Sequence, residues 1–71
     1  MLVMSDAQFA LLRAKYRSQW DAHQIIADQN TRLVQVGKRP SEQQLMNERR
    51  AAQAVALARD ELLAAISRLG R

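Results

Sequence analysis

Apolar and ring-bearing side chains recur at the spacing of an α-helix along two long segments of this chain. In the first segment they form one stripe, which comprises Phe9, Leu12, Tyr16, Trp20, His23, Ile26, Ala27, Leu33 and Val34. In the second segment the stripe comprises Leu45, Ala52, Val55, Ala56, Leu62, Ile66 and Leu69. Because an α-helix has 3.6 residues per turn, this spacing places each set on one helical face. The pattern therefore predicts two long amphipathic helices.

The stretch VGKRPSEQQ, residues 36–44, contains the signals that end one helix and begin another. Gly37 can adopt the left-handed conformation that follows a helix, and Pro40 cannot continue one. Ser41 followed three residues later by Gln44 is a capping-box pattern. We therefore expect three segments, namely helix 1 over about residues 5–36, a turn over residues 37–40 and helix 2 over about residues 41–69.

A turn this short requires neighbouring helices to run antiparallel. With the turn centred at residues 38–39, residues that face each other have numbers that add up to about 77. The alanine-rich stretch 51–58 then lies opposite the bulky region around Trp20, which fills the space between the helices. The same register predicts two contacts between opposite charges, namely Arg17 with Asp60 and Asp28 with Arg49 or Arg50.

The apolar surface of helix 2 is wider than one neighbouring helix can cover. Its stripe is flanked by Met46, Ala54, Leu57, Ala58, Leu63, Ala64 and Ala65. A chain of 71 residues with twelve alanines and no cysteine has a small core and no disulfide, and such domains usually gain stability by oligomerising. The predicted fold class is all-α: residues 1–71 form one antiparallel two-helix hairpin that dimerises into a four-helix bundle with coiled-coil-like packing.

The residues that we expect to form the hairpin core and the dimer interface are the larger members of the two stripes. They are Phe9, Leu12, Tyr16, Trp20, His23, Ile26, Leu33, Leu45, Val55, Leu62, Ile66 and Leu69. Tyr16 and Trp20 could instead form an aromatic patch for a ligand, but aromatic residues at helical spacing are more often packed. The polar residues Asn30, Gln53 and Arg59 lie at or near inward-facing positions, where polar groups fix register more often than they bind a substrate.

Positive charges are concentrated around the turn. The formal net charge is +4, and the candidate contacts for nucleic-acid phosphates are Arg32, Lys38, Arg39, Arg49 and Arg50. Three acidic residues, Asp28, Glu42 and Glu48, dilute this cluster, and a second basic group, Arg13, Lys15 and Arg17, faces Asp60 and Glu61. Side chains that stack on bases are not interleaved with either group. Nucleic acid is therefore an alternative partner and not the favoured one.

The sequence shows no apparatus for catalysis or metal binding. His23 is the only histidine, cysteine is absent, and the residue three positions before His23 is Trp20 rather than the glutamate of helical-bundle metal sites. No carboxylate accompanies His23 to make an acid–base pair, and no glycine-rich phosphate loop is present. We therefore expect no metal, no cofactor and no catalytic residues.

No apolar run approaches the roughly 18 residues of a membrane-spanning helix, and the opening MLVM is too short for a signal peptide. The expected location is cytoplasmic, without a membrane partner. The leading hypothesis is a non-enzymatic, homo-oligomeric interaction module, an adaptor or assembly protein, with itself as partner and a further protein as a candidate. The alternative is a small nucleic-acid-binding regulator. A third hypothesis is a helical-bundle enzyme that uses Tyr16, His23 and Arg59.

Overall fold

Two α-helices joined by a short turn make up the computed structural model, which describes residues 6–69. α1 comprises Asp6–Gln35 and α2 comprises Glu42–Leu69. The helices pack against each other as an antiparallel pair, so the predicted helical hairpin is confirmed. The molecule measures 55 × 16 × 16 Å. Residue 5, the expected start of helix 1, and the side chain of Leu69 lie outside what the structure describes.

The turn follows from the local sequence. Gly37 has a φ of +77°, in the left-handed region, and its N–H donates to the carbonyl of Val34 at 3.0 Å. The N–H of Lys38 donates to the carbonyl of Leu33 at 2.8 Å. These two bonds form a Schellman motif, which satisfies carbonyl groups at the end of α1. The left-handed residue turns the chain away from the helix axis.

The capping box at the start of α2 is complete. The N–H of Gln44 donates to Ser41 Oγ at 3.1 Å, and the N–H of Ser41 donates to Gln44 Oε1 at 2.8 Å. Each side chain therefore satisfies a backbone donor that the helix leaves free. Glu42 lies in the first turn, where the helix dipole favours a negative charge.

Side chains with reduced exposure recur along both helices at alternating intervals of three and four residues, which is the spacing of helices that pack side by side. On α1 they are Phe9, Leu12, Tyr16, Gln19, His23, Ile26, Asn30 and Leu33. On α2 they are Glu48, Ala51, Val55, Ala58, Leu62 and Ala65. We call these two sets the seam. Three further residues with reduced exposure border it, namely Gln24, Ala27 and Ala54.

Two contacts between the helices define the register. Lys15 Nζ forms an ion pair with Glu61 Oε1 at 3.2 Å, and their residue numbers add up to 76. Asn30 Nδ2 donates to the carbonyl of Gln44 and to Glu48 Oε1. The residue numbers of these two pairs add up to 74 and 78, and their mean is again 76. The register therefore agrees with the predicted one to within one residue.

The expected contacts between opposite charges do not form. Within residues 6–69, Lys15–Glu61 is the one ion pair, and neither Arg17 with Asp60 nor Asp28 with Arg49 or Arg50 makes another. Arg17 and Asp60 are both exposed and lie off the seam, so the correct register does not bring their side chains together.

The predicted inward face of α2 differs from the observed one. Ala58 and Ala65, expected beyond the reach of helix 1, are each only 2% exposed and form the core. Four residues expected in the stripe are instead exposed, namely Leu45, Ala52, Ala56 and Ile66. On α1, Trp20 and Val34 also lie outside the seam, at 44% and 62% exposure. The seam of α2 follows its alanines, which permit close approach, and not its largest side chains.

The position of Ala58 in the seam can be tested by enlarging it. We expect Ala58→Leu to lower the free energy of unfolding by about 1–3 kcal/mol, because a larger side chain must displace the facing helix. The matched control is Ala64→Leu, at an exposed position of the same helix. This substitution should change the free energy of unfolding by less than about 0.5 kcal/mol. Urea unfolding at a fixed protein concentration measures both. Equal effects of the two substitutions would contradict the seam.

Candidate interaction face

Asn30 is the one buried polar side chain among the described residues, at 5% exposure. Its Nδ2 donates at 2.8 Å to Glu48 Oε1 and at 3.2 Å to the carbonyl of Gln44. These bonds join α1 to the first turns of α2, close to the chain reversal. Gln53 and Arg59, which the sequence placed at or near inward positions together with Asn30, are exposed. The three residues therefore do not form a polar site.

Tyr16 and His23 are both half-buried in the seam, two turns apart on α1. Arg59, the third residue of the enzyme hypothesis, lies outside the seam. Across residues 6–69, no three histidine, aspartate or glutamate side chains converge as a metal site would require. His23 thus lies in the seam beside apolar side chains, without a converging set of metal ligands.

The two flanks of the seam differ in how many large apolar side chains they expose: Leu11, Ile25 and Leu57 lie on one flank, and five lie on the other. On one flank lies the Lys15–Glu61 pair, in which each residue immediately precedes a seam residue. The residues that immediately follow seam positions lie on the other flank, because antiparallel helices bring equivalent flanking positions together. Nine apolar residues occupy that flank: Ala10, Trp20, Ala27 and Val34 of α1, and Leu45, Ala52, Ala56, Leu63 and Ile66 of α2. We call this surface the Trp20 face.

The larger side chains of the Trp20 face are exposed to solvent. Val34 is 62% exposed, and the other four are 44–47% exposed, namely Trp20, Leu45, Leu63 and Ile66. Large apolar side chains scattered singly over a surface need no explanation, whereas a contiguous set on one face indicates an interaction surface. Trp20 lies near the middle of the face and Leu45 and Ile66 lie towards its two ends. The face therefore extends along most of the hairpin.

A groove of about 510 Å³ lies beside Trp20 on this face. It is lined by residues of both helices, namely Arg13, Tyr16, Arg17, Trp20, Asp21 and Leu62. The Arg13 guanidinium lies over the Phe9 ring, with Cζ 5.1 Å from the ring centroid. Tryptophan, tyrosine and arginine, which line this groove, are the residue types that are enriched at the centre of protein interfaces.

The charge on the Trp20 face is positive. Four arginines, Arg13, Arg17, Arg49 and Arg59, lie among or next to its apolar residues, and none of them forms an ion pair with an acidic residue in the described part of the chain. Asp21 lines the groove together with Arg13 and Arg17. Two further acidic residues, Asp6 and Glu42, lie in the first turns of the helices, at opposite ends of the face. A partner on this face must therefore accommodate guanidinium groups.

The candidate nucleic-acid contacts lie around the turn. All five of them, Arg32, Lys38, Arg39, Arg49 and Arg50, are exposed, and none forms an ion pair within residues 6–69. Of the three acidic residues expected to dilute this cluster, Glu48 accepts the hydrogen bond from Asn30. The structure thus places the five cations at one end of the hairpin.

Comparison with protein-family models, with curated proteins and with solved structures found no match to this chain. Neither described helix combines the length and the hydrophobicity needed to cross a bilayer. The case for a function therefore rests on the surfaces described above.

Removing the Asn30 amide tests its role between the helices. We expect Asn30→Ala to lower the free energy of unfolding by about 1–3 kcal/mol, because the substitution removes two inter-helix hydrogen bonds and leaves a partly buried carboxylate without its donor. Gln29→Ala, at the exposed neighbouring position, is the control and should change the stability little. Urea unfolding measures the difference. A variant as stable as the control would show that these hydrogen bonds contribute nothing.

Proposed function

We propose that this protein is a non-enzymatic interaction module that self-associates through the Trp20 face to form a four-helix bundle. The observation that carries the proposal is the set of five large apolar side chains exposed along one face, with Trp20 near its middle. A second hairpin placed on this face would remove those side chains from water. Burial of apolar surface is the main favourable contribution to association.

The surface area of the single chain supports this proposal. The chain exposes 6012 Å² to solvent. A compact monomer of this length exposes about 4,500 Å², so the excess is about 1,500 Å². A standard interface requires about 800 Å² from each partner, and the excess is large enough to supply it.

The shape supports it as well. The radius of gyration is 16.1 Å, against about 11 Å for a globular chain of the same length. Two hairpins side by side are closer to globular proportions than one. The buried core of the single hairpin consists of Ala58 and Ala65, which contribute little apolar area. An isolated hairpin with this core would be only marginally stable, whereas a bundle adds a second apolar layer.

Replacing Trp20 tests the interface. We expect Trp20→Ala to raise the dissociation constant of the dimer at least about 30-fold, because tryptophan at the centre of an interface typically contributes 2 kcal/mol or more. The matched control is Ile25→Ala, a large apolar residue of the same helix that is 61% exposed on the other flank, and it should leave the constant nearly unchanged. Sedimentation equilibrium over a range of protein concentrations measures both.

The wild-type chain provides a separate check. A wild-type hairpin that is folded and monomeric at micromolar concentration would contradict the proposal, whatever the variants do. Equal weakening by Trp20→Ala and Ile25→Ala would place the interface on a different surface. Circular dichroism of each variant distinguishes loss of association from loss of helix.

A second candidate function is binding of nucleic acid by the turn. The observation that favours it is the concentration of five exposed cations without ion pairs around one end of the hairpin. Lysine and arginine side chains in such an arrangement attract phosphates without regard to base sequence. The absence of aromatic residues from this cluster supports contact with a phosphate backbone more than stacking on bases.

Reversing one charge at the turn tests this second function. We expect Arg39→Glu to lower the affinity for RNA and to reduce the slope of log K against log salt by about 1 for the phosphate contact it removes. Arg68→Glu introduces the same charge change at the far end of the hairpin and is the control. A filter-binding titration at several salt concentrations measures both. Equal losses would indicate a response to net charge alone, and no binding by the wild type would exclude the function.

A further inference from the structure

We infer that the second copy docks on the Trp20 face in the inverted orientation, with α1 on α1 and α2 on α2, so that the two turns lie at opposite ends of the bundle. This inference rests on the proposed self-association and adds the register of the two chains. In the alternative, same-end orientation, α1 would lie on the partner's α2 and both turns would lie at one end. Both orientations make every pair of neighbouring helices antiparallel, so helix direction alone does not choose between them.

The positions of the arginines along the hairpin differ between its two halves. Trp20 and Ala56 lie near the midpoints of α1 and α2. Arg13, Arg17 and Arg59 all lie between these midpoints and the open end of the hairpin, within about 11 Å of the middle at 1.5 Å per residue. Arg49 is the one arginine of the face in the half that contains the turn. The Trp20 face therefore has a strongly basic half and a mainly apolar half.

The same-end orientation would bring the two basic halves together. In the register of the hairpin, Arg17 would face Arg59 of the partner subunit, and the symmetry would repeat this contact. Six guanidinium groups would then share a short length of the interface. Like charges across an interface oppose association strongly, and the acidic residue that lines the groove with Arg13 and Arg17, Asp21, lies just beyond the midpoint of α1.

The inverted orientation places a neutral residue of the partner opposite each arginine. Counting equal distances on either side of the midpoints, and taking the residue of the face within one position of each count, the facing pairs are Arg13 with Ala27, Arg17 with Gln24, Arg49 with Leu63, and Arg59 with Ala52; the exact count for Arg13 falls on Asp28, next to Ala27. Two of the four facing residues are alanines, which leave room for the long arginine side chains to reach solvent at the edge. The inverted orientation therefore avoids contact between like charges along the whole face.

The apolar residues also match in the inverted orientation. Leu45 and Ile66 lie at equal distances, about 16 Å, on opposite sides of the midpoint of α2. Leu45 of one chain would therefore lie opposite Ile66 of the partner subunit, and Ile66 opposite Leu45 of the partner subunit. Trp20 would lie near the twofold axis, beside Trp20 of the partner subunit. The partner's α1 between Trp20 and Ala27 would occupy the groove at Tyr16 and Leu62. Three of the five large exposed side chains of the face, Trp20, Leu45 and Ile66, thus gain a large apolar partner.

Single cysteines introduced into this cysteine-free chain distinguish the two orientations. Leu45→Cys and Ile66→Cys chains, made with different tags, are mixed, refolded together and oxidised. In the inverted orientation, oxidation of the mixture should give mainly a covalent dimer that contains one chain of each variant. Each variant oxidised alone should remain mostly monomeric on a non-reducing gel, because its two thiols would lie far apart.

A second mixture tests the same-end orientation directly. Leu45→Cys and Thr31→Cys chains, whose positions add up to 76 as in the register of the hairpin, would form the mixed covalent dimer in that orientation and should not do so in the inverted one. Ile25→Cys mixed with Leu57→Cys, both off the Trp20 face, measures random cross-linking. A predominant product from Leu45→Cys with Thr31→Cys would overturn the inference.

Sedimentation of the reduced variants separates this inference from the proposed function. If the reduced chains are dimers and Leu45→Cys with Ile66→Cys gives no product above the random control, the orientation is wrong while self-association stands. If the reduced chains and the wild type are monomers, self-association itself is wrong. Only dimers that cross-link through the Leu45 and Ile66 positions support both.

Discussion

The structure depends on close contact between α1 and the alanine-bearing side of α2. Ala51, Ala58 and Ala65 recur every seven residues in the seam, and Ala58 and Ala65 are each only 2% exposed. Small side chains let helices approach closely, but they remove little apolar surface from water. No large side chain in residues 6–69 is fully buried. The larger apolar residues therefore lie on the flanks, and the Trp20 face is a direct consequence of how the hairpin closes.

Polar residues in the seam help to hold the register that places the residues of that face. Gln19, Asn30 and Glu48 occupy seam positions where apolar residues would contribute more stability. A polar residue inside a helix pair commonly fixes register at some energetic cost. The Asn30 amide does so close to the turn, where the Schellman motif and the capping box already define the chain path. With register and turn both fixed, Trp20 and its neighbours hold set positions along one surface.

Much of this arrangement can be predicted from the sequence, because the turn signals are local. Gly37 with Pro40, and Ser41 with Gln44, give the chain reversal, and the length of the turn gives the register. The rotation of α2 about its axis could not be predicted in the same way. Large apolar residues occur on several sides of α2, and the seam includes Glu48 and excludes Leu45, so hydrophobicity does not identify it. The interval of seven residues between Ala51, Ala58 and Ala65 was the informative signal.

The orientation of the proposed dimer would also decide how the basic turn acts. In the same-end orientation the two clusters of five cations would form one patch, suited to a single stretch of nucleic acid. In the inverted orientation they would lie at opposite ends of a bundle whose hairpin is 55 Å long. Because the Debye length at physiological salt is about 8 Å, the two clusters would then act independently. Nucleic-acid binding by an inverted dimer would therefore join two separate strands or two distant segments of one strand. The arginines of the Trp20 face disfavour the same-end dimer. They would therefore favour a dimer that binds two nucleic-acid segments at its two ends over one that binds a single segment at one end.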